Sequence, residues 1–151
     1  MTKLLAVTAL LFLSFTTSPR VENHVKWSCV AKRTSATAAT IFLKATIDEG
    51  WHIYSQQIEE GGPTKTEFTF TPSKGYNLAG RTIEPKAQTK FDKFFKMNVG
   101  SFEKEVLFKQ HIKLRSTAAL TVKCKLEFGV CNDKTCLPPD EATFNIPVPV
   151  K

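Results

Sequence analysis

The chain has 151 residues, 21 Lys and Arg against 14 Asp and Glu, a formal charge of +7, and four cysteines. The basic residues are scattered singly and form no tail or basic helix, which argues against a nucleic-acid-binding surface. Behind an apparent leader about 130 residues remain, enough for one domain with its own core, so the cysteines are not needed to rescue a very small fold.

Met1 to about Ser18 reads as a secretory signal. Lys3 gives a positive start, Leu4 to Phe15 is a predominantly apolar run of about twelve residues, and Thr16, Thr17 and Ser18 supply small or hydroxylated residues. The run is shorter than the ~20 residues of a membrane-spanning helix. No cysteine follows it closely, so a lipid anchor is not expected. Export is expected, with a single domain over residues 22–151.

Beyond residue 22 the apolar residues recur with period two, as in half-buried strands. Val25, Trp27, Cys29 and Ala31 share a face opposite Lys26, Ser28 and Lys32. Ala39, Ile41, Leu43, Ala45 and Ile47 follow, then Phe68 and Phe70. Val106, Phe108, Ile112 and Leu114 form another set, opposite Lys109, His111 and Lys113. Val122, Cys124, Leu126, Phe128 and Val130 come next, and Ala142, Phe144, Ile146, Val148 and Val150 close the chain. Loops are expected at Asp48-Glu49-Gly50, Gly61-Gly62-Pro63, Pro72-Ser73-Lys74-Gly75 and Asn98-Val99-Gly100-Ser101. No stretch of the mature chain has a helical period. The pattern predicts an all-β fold of about seven to nine strands, an antiparallel β-sandwich of immunoglobulin-like type. Pro147 and Pro149 on the outward phase of the last segment suit an edge strand.

Strand parity sorts the thiols. Cys29 and Cys124 share the phase of apolar neighbours and are expected inside. Cys131 has the opposite parity to Phe128 and Val130, and Cys136 ends the polar Asn-Asp-Lys-Thr loop, so both are expected near the surface. A bridge closing a loop of about six residues stabilises by only about 2 kcal/mol in the chain-entropy model, against about 4.7 for a loop of about 100. Cys131–Cys136 would therefore be a weak staple, whereas Cys29–Cys124 would be an effective one if the side chains face each other. Cys131 and Cys136 could be a local structural disulfide in a binding or adaptor domain, part of a metal site, or a redox pair that opens and closes by thiolate exchange. Structural zinc needs four ligands, and only His24, His52 and His111 could complete such a set. The spacing is not Cys-x-x-Cys and no βαβ pattern accompanies it, so a thioredoxin domain is excluded.

The segment Val-Cys-Asn-Asp-Lys-Thr-Cys-Leu-Pro-Pro at 130–139 resembles the active-site segment of the N-terminal periplasmic domain of the thiol:disulfide interchange protein DsbD. Asp48-Glu49-Gly50-Trp51-His52-Ile53-Tyr54-Ser55, Gly61-Gly62-Pro63-Thr64-Lys65-Thr66-Glu67-Phe68, Glu84-Pro85-Lys86 and Phe91-Asp92-Lys93-Phe94-Phe95 are similar to that family too, in the same order. The resemblance implies an immunoglobulin-like sandwich in the periplasm whose cysteine pair relays electrons as a protein-disulfide reductase component. Cys136 would form mixed disulfides with partners and Cys131 would resolve them. Asp92, Phe94 and Phe95 would belong to a cap loop shielding the pair, with His52 and Tyr54 nearby. No cofactor or metal is implied. The expected partners are thioredoxin-like or disulfide isomerase proteins. The family's best-known members have one more residue between the cysteines than the four here. No transmembrane conduit or thioredoxin domain follows the sandwich, so a separate protein is expected to supply the electrons. Cys29 and Cys124 lie outside the family signature.

Overall fold

A computed structural model describes residues 23–150; the expected leader lies outside the described residues. The strands are β1 (Val25–Ser35), β2 (Ala38–Ile47), β3 (Trp51–Tyr54), β4 (Glu67–Phe70), β5 (Tyr76–Leu78), β6 (Gln88–Asp92), β7 (Met97–Phe102), β8 (Glu105–Leu114), β9 (Leu120–Phe128), β10 (Val130–Asn132) and β11 (Asp140–Val148). Every strand pair is antiparallel, and the described residues contain no helix. Three sheets form, in the orders β1-β2-β8-β5, β11-β9-β4 and β10-β3-β7-β6.

The first two sheets share the main core. β8 alternates strictly, so Val106, Phe108, Ile112 and Leu114 are buried while Lys109, His111 and Lys113 face water. Gln110 falls on the buried phase, and its amide is satisfied by the Thr82 hydroxyl and the carbonyls of Gly80 and His111. Opposite stand Val122, Cys124, Leu126 and Phe128 of β9 and Ile146 of β11. Trp27 joins the layers, its ring meeting Phe68, Phe108 and Phe128 at 5.8, 6.0 and 5.4 Å between centroids. β11 is an outer strand, and Pro147 is exposed on it, so its missing N–H breaks no ladder. Val150 lies beyond its end and is exposed, unlike the rest of its expected face.

The strand set is larger than the alternation implied, because β3, β5, β6 and β10 are too short to show a period. Asn98-Val99-Gly100-Ser101, expected as a loop, lies inside β7. Flanking partners override its turn composition: Thr89 pairs with Gly100, Gln88 with Ser101, and Tyr54 with Ser101 from the other side. Gly100 is needed for closeness, since a Cβ there would come within 3.1 Å of Ala87 and 3.2 Å of Ser55.

Gly129 marks where the chain leaves the main sandwich for the third sheet. Its N–H donates to the Thr64 carbonyl at 3.1 Å, and a Cβ would stand 2.8 Å from that oxygen and 3.4 Å from the Tyr54 ring. Because the obstacle is backbone, Gly129→Ala is expected to lower stability by about 1–3 kcal/mol, measured by urea denaturation.

Candidate functional site

The break at Gly129 decides where the first cysteine points. β9 ends at Phe128, and β10 pairs with β3 in another sheet, with Val130 opposite Ile53, Cys131 opposite His52 and Asn132 opposite Trp51. Cys131 is therefore buried, 3% exposed, which corrects the expectation that parity places it near the surface. Parity counted across residue 129 fails because the strand changes sheets there. Cys131 belongs to a second small cluster with Tyr54 and Val99, against which Ile58, Met97 and Cys136 pack. Cys136 is half-buried, nearer its expected position.

The two sulfurs form a disulfide, S–S 2.08 Å, with Cα atoms 4.1 Å apart. The intervening loop is a tight hairpin. Asn132 N–H donates to the Thr135 carbonyl and Leu137 N–H to the Val130 carbonyl, each at 2.9 Å. The Asn132 side-chain oxygen accepts the N–H groups of Lys134 and Thr135 at 2.8 Å each. An asparagine that satisfies the backbone two and three residues on is the turn chemistry of Asn-Asp-Lys-Thr, and its first residue carried that signal in the sequence.

Beside the disulfide lies a chain of polar side chains. Directly opposed residues of antiparallel strands share a face with Cβ atoms about 5 Å apart, so His52 flanks Cys131, and Tyr54 follows two residues on. The Tyr54 hydroxyl donates to Asp92 Oδ2 at 2.7 Å, and His52 Nε2 lies 3.2 Å from the same hydroxyl. With that proton committed to Asp92, His52 must present Nε2–H to the tyrosine oxygen. Burial holds the His52 imidazole below its ordinary pKa, opposed by the carboxylates of Asp92, Glu103 and Asp133, while Lys90 adds to the lowering. Burial, the hydrogen bond to Asp92 and that carboxylate's charge push the Tyr54 phenol upward, so it remains a donor.

Asp92 also organises the β6–β7 hairpin. Its Oδ1 accepts the N–H groups of Phe94 and Phe95 at 2.8 and 3.2 Å. Lys96 closes the turn with φ 54°. One buried carboxylate thus ties this hairpin to Tyr54. The Phe95 ring stands edge-on to Tyr54 at 6.4 Å, while Phe94 is 49% exposed at the hairpin tip. A cleft of about 100 Å³ separates this hairpin from the cysteine loop, with His52, Asp92, Phe94, Val99, Asn132 and Asp133 in its walls. Of the residues singled out in the sequence, His52 pairs with Cys131 and Tyr54 packs with it, Asp92 and Phe95 meet Tyr54, and Phe94 lines the cleft beside Asn132 and Asp133. The sequence singles out neither Val99, which lies in the segment whose composition predicts a loop, nor Met97 just before it. The spacing of Met97, Val99 and Ser101 is the period that could have shown the strand. Among the described residues no three His, Cys, Asp or Glu side chains group to hold a metal ion.

A family model described as thiol:disulfide interchange protein DsbD, N-terminal, matches residues 23–147. No curated protein sequence matches the chain. Among solved structures, the N-terminal periplasmic domain of ScsB from Proteus mirabilis is 21% identical with a TM-score of 0.63, over 85% of this chain and 48% of that one. This chain therefore spans about half the length of that relative. The DsbD N-terminal domain of Neisseria meningitidis in the reduced form is 17% identical, TM-score 0.51, over 80% of this chain and 83% of its own. The complex between the DsbD and PilB N-terminal domains of Neisseria meningitidis gives 16%, 0.53, 87% and 88%. The likeness shows the fold, an immunoglobulin-like β-sandwich.

Proposed function

The chain belongs to the family of DsbD N-terminal domains, which are thiol–disulfide exchange domains, and from that premise we propose that Cys131 and Cys136 are its exchanging pair. In this reading Met1 to about Ser18 exports it, and it works in the periplasm, the compartment named for the ScsB domain. Its partners are thioredoxin-like or disulfide isomerase proteins, docking as the PilB N-terminal domain does with its DsbD relative.

The observation that carries the proposal is the unequal access to one disulfide. Cys131 is buried against Tyr54 and Val99, and Cys136 is half-buried beside it. An incoming thiolate reaches the Cys136 sulfur first. The S–S electron pair leaves on Cys131, and a mixed disulfide joins Cys136 to the partner. A second partner thiol then attacks the partner's own sulfur, releasing Cys136 and leaving the domain reduced by two electrons. In the other direction the Cys136 thiolate attacks a partner disulfide, and Cys131 attacks the Cys136 sulfur to release the reduced partner. His52 is the polar group opposite the sulfur that leaves and returns. The hairpin of Asp92, Phe94 and Phe95 acts as the cap, limiting access by small oxidants and reductants. Lys134 favours a thiolate in the loop and Asp133 opposes it.

Maleimide labelling with mass spectrometry tests the assignment. After mild dithiothreitol on the native protein, Cys136 is expected to carry label that is absent without reductant, while the buried Cys131 takes label only on unfolding. If both stay unlabelled until denaturation, the bond is an inert staple in a binding domain and the proposal fails.

A further inference from the structure

Cys29 and Cys124 are free thiols in this structure, and the exchange at Cys131 and Cys136 uses neither. Cys29 lies on β1 opposite Leu43 of β2. Cys124 lies on β9 between Phe70 of β4 and Phe144 of β11. The two therefore stand on different sheets. Both belong to the same core: Cys124 is fully buried and Cys29, half-buried, packs against it.

Contacts at both ends of the sandwich set their level. At one end the Trp27 ring meets Phe128, centroids 5.4 Å apart. At the other, the Arg33 guanidinium donates to the carbonyls of Ser116 and Ala118 at 3.1 and 2.9 Å, just before β9 begins. Its Nε donates to the Pro149 carbonyl at 2.8 Å, next to Val148, which pairs with Leu120. β1 and β9 thus pass each other in opposite directions, anchored at Trp27 with Phe128 and at Arg33 with the approach to Leu120. Cys29 falls near the middle of the first span and Cys124 in the middle of the second. Each has inward parity. Packed sheets lie about 10 Å apart on average, and a bridge between them, as in immunoglobulin-type sandwiches, forms where they approach until the two Cα atoms stand within about 7 Å. The Cys124 thiol also senses Cys29. Burial pushes Cys124 up to about 12 with Cys29 adding to the rise, and burial alone pushes Cys29 to about 11.

We propose that Cys29 and Cys124 are a second, structural pair that closes into an inter-sheet disulfide while the chain folds in an oxidising compartment. The oxidant is a low-molecular-weight disulfide such as oxidised glutathione. One cysteine thiolate attacks it, forming a mixed disulfide and releasing one glutathione thiol. The other cysteine then attacks the protein sulfur, forming the Cys29–Cys124 bond and releasing the second glutathione thiol. Two protein thiols lose two electrons and two protons, and one glutathione disulfide gains them. This takes place before the sheets close, because the finished core keeps both thiols protonated and buries Cys124 completely. The same shielding then protects the bond from reductants that open Cys131–Cys136.

The test is to refold the reduced, denatured chain in a glutathione redox buffer, block free thiols under denaturing conditions, and map peptides without reduction. A Cys29 peptide linked to a Cys124 peptide is expected, and it should persist under mild dithiothreitol that opens Cys131–Cys136. Closing so long a loop should also place the melting temperature about 15 °C above that of the Cys29→Ala/Cys124→Ala double variant. Blocked, unlinked Cys29 and Cys124 after oxidative refolding would overturn the proposal. So would a bond lost together with Cys131–Cys136 under mild reductant. The peptide map needs no variant, so it decides even if the double variant does not fold.

Discussion

Cys131→Ser is expected to reduce electron relay to background and to leave Cys136 bound covalently to its partner. The reason is the order of access at the disulfide. In the proposed order the half-buried Cys136 meets the partner, and the buried Cys131 sulfur returns to free it. Without that sulfur the mixed disulfide is resolved forward only by an outside thiol, which the proposed cap hinders, or it reverts when the partner's own second thiol attacks the partner sulfur. Cys136→Ser should be equally inactive yet trap nothing, because the remaining thiol is the shielded one. Loss of an essential nucleophile commonly costs on the order of 10⁴-fold or more in rate. Non-reducing electrophoresis of the exported variants, followed by mass spectrometry of the adduct, reads the outcome and names the partner. An adduct formed by Cys136→Ser and not by Cys131→Ser would reverse the two roles.

Asp92→Ala is expected to weaken both the hairpin and the seal over the disulfide. Asp92 accepts three hydrogen bonds, from the Tyr54 hydroxyl and from the N–H groups of Phe94 and Phe95. Tyr54 is fully buried, so its hydroxyl would be left without its acceptor, which costs about 1–3 kcal/mol. With the two backbone bonds also lost, a drop of about 3 kcal/mol in unfolding free energy is expected. Locally, reduction of Cys131–Cys136 by dithiothreitol should quicken about tenfold, as a seal weakened by about 1.4 kcal/mol implies. Asp92→Asn keeps an acceptor for the Phe94 and Phe95 amides and should lie between the two. Urea denaturation and quenched labelling of the thiols measure the two effects separately. Normal reduction kinetics in a destabilised Asp92→Ala would show that the hairpin does not guard the pair.

The sandwich was legible wherever a strand is long and wet on one side. β2, β8 and β9 show their buried faces residue by residue, because water on one side and core on the other force an alternation of period two. The third sheet was nearly silent. Its strands run from three to six residues, too few for a period, and turn-forming residues such as Asn98 and Gly100 sit within it. The site is built mostly from that sheet. Its members were found through the order of short motifs along the chain, while their contacts were not visible.

By itself the sequence determined the all-β class, the inward phase of Cys29 and Cys124, and the pairing of a close cysteine pair with a tight polar turn. These are local properties, written by alternation and by side chains that bond to their own backbone. Only the tertiary structure decided that Cys131 is buried, that His52 stands opposite it, and that Asp92 ties a distant hairpin to Tyr54. Those outcomes depend on which strands pair after Gly129 ends β9, and hydrogen bonds between strands dozens of residues apart leave no local period to read.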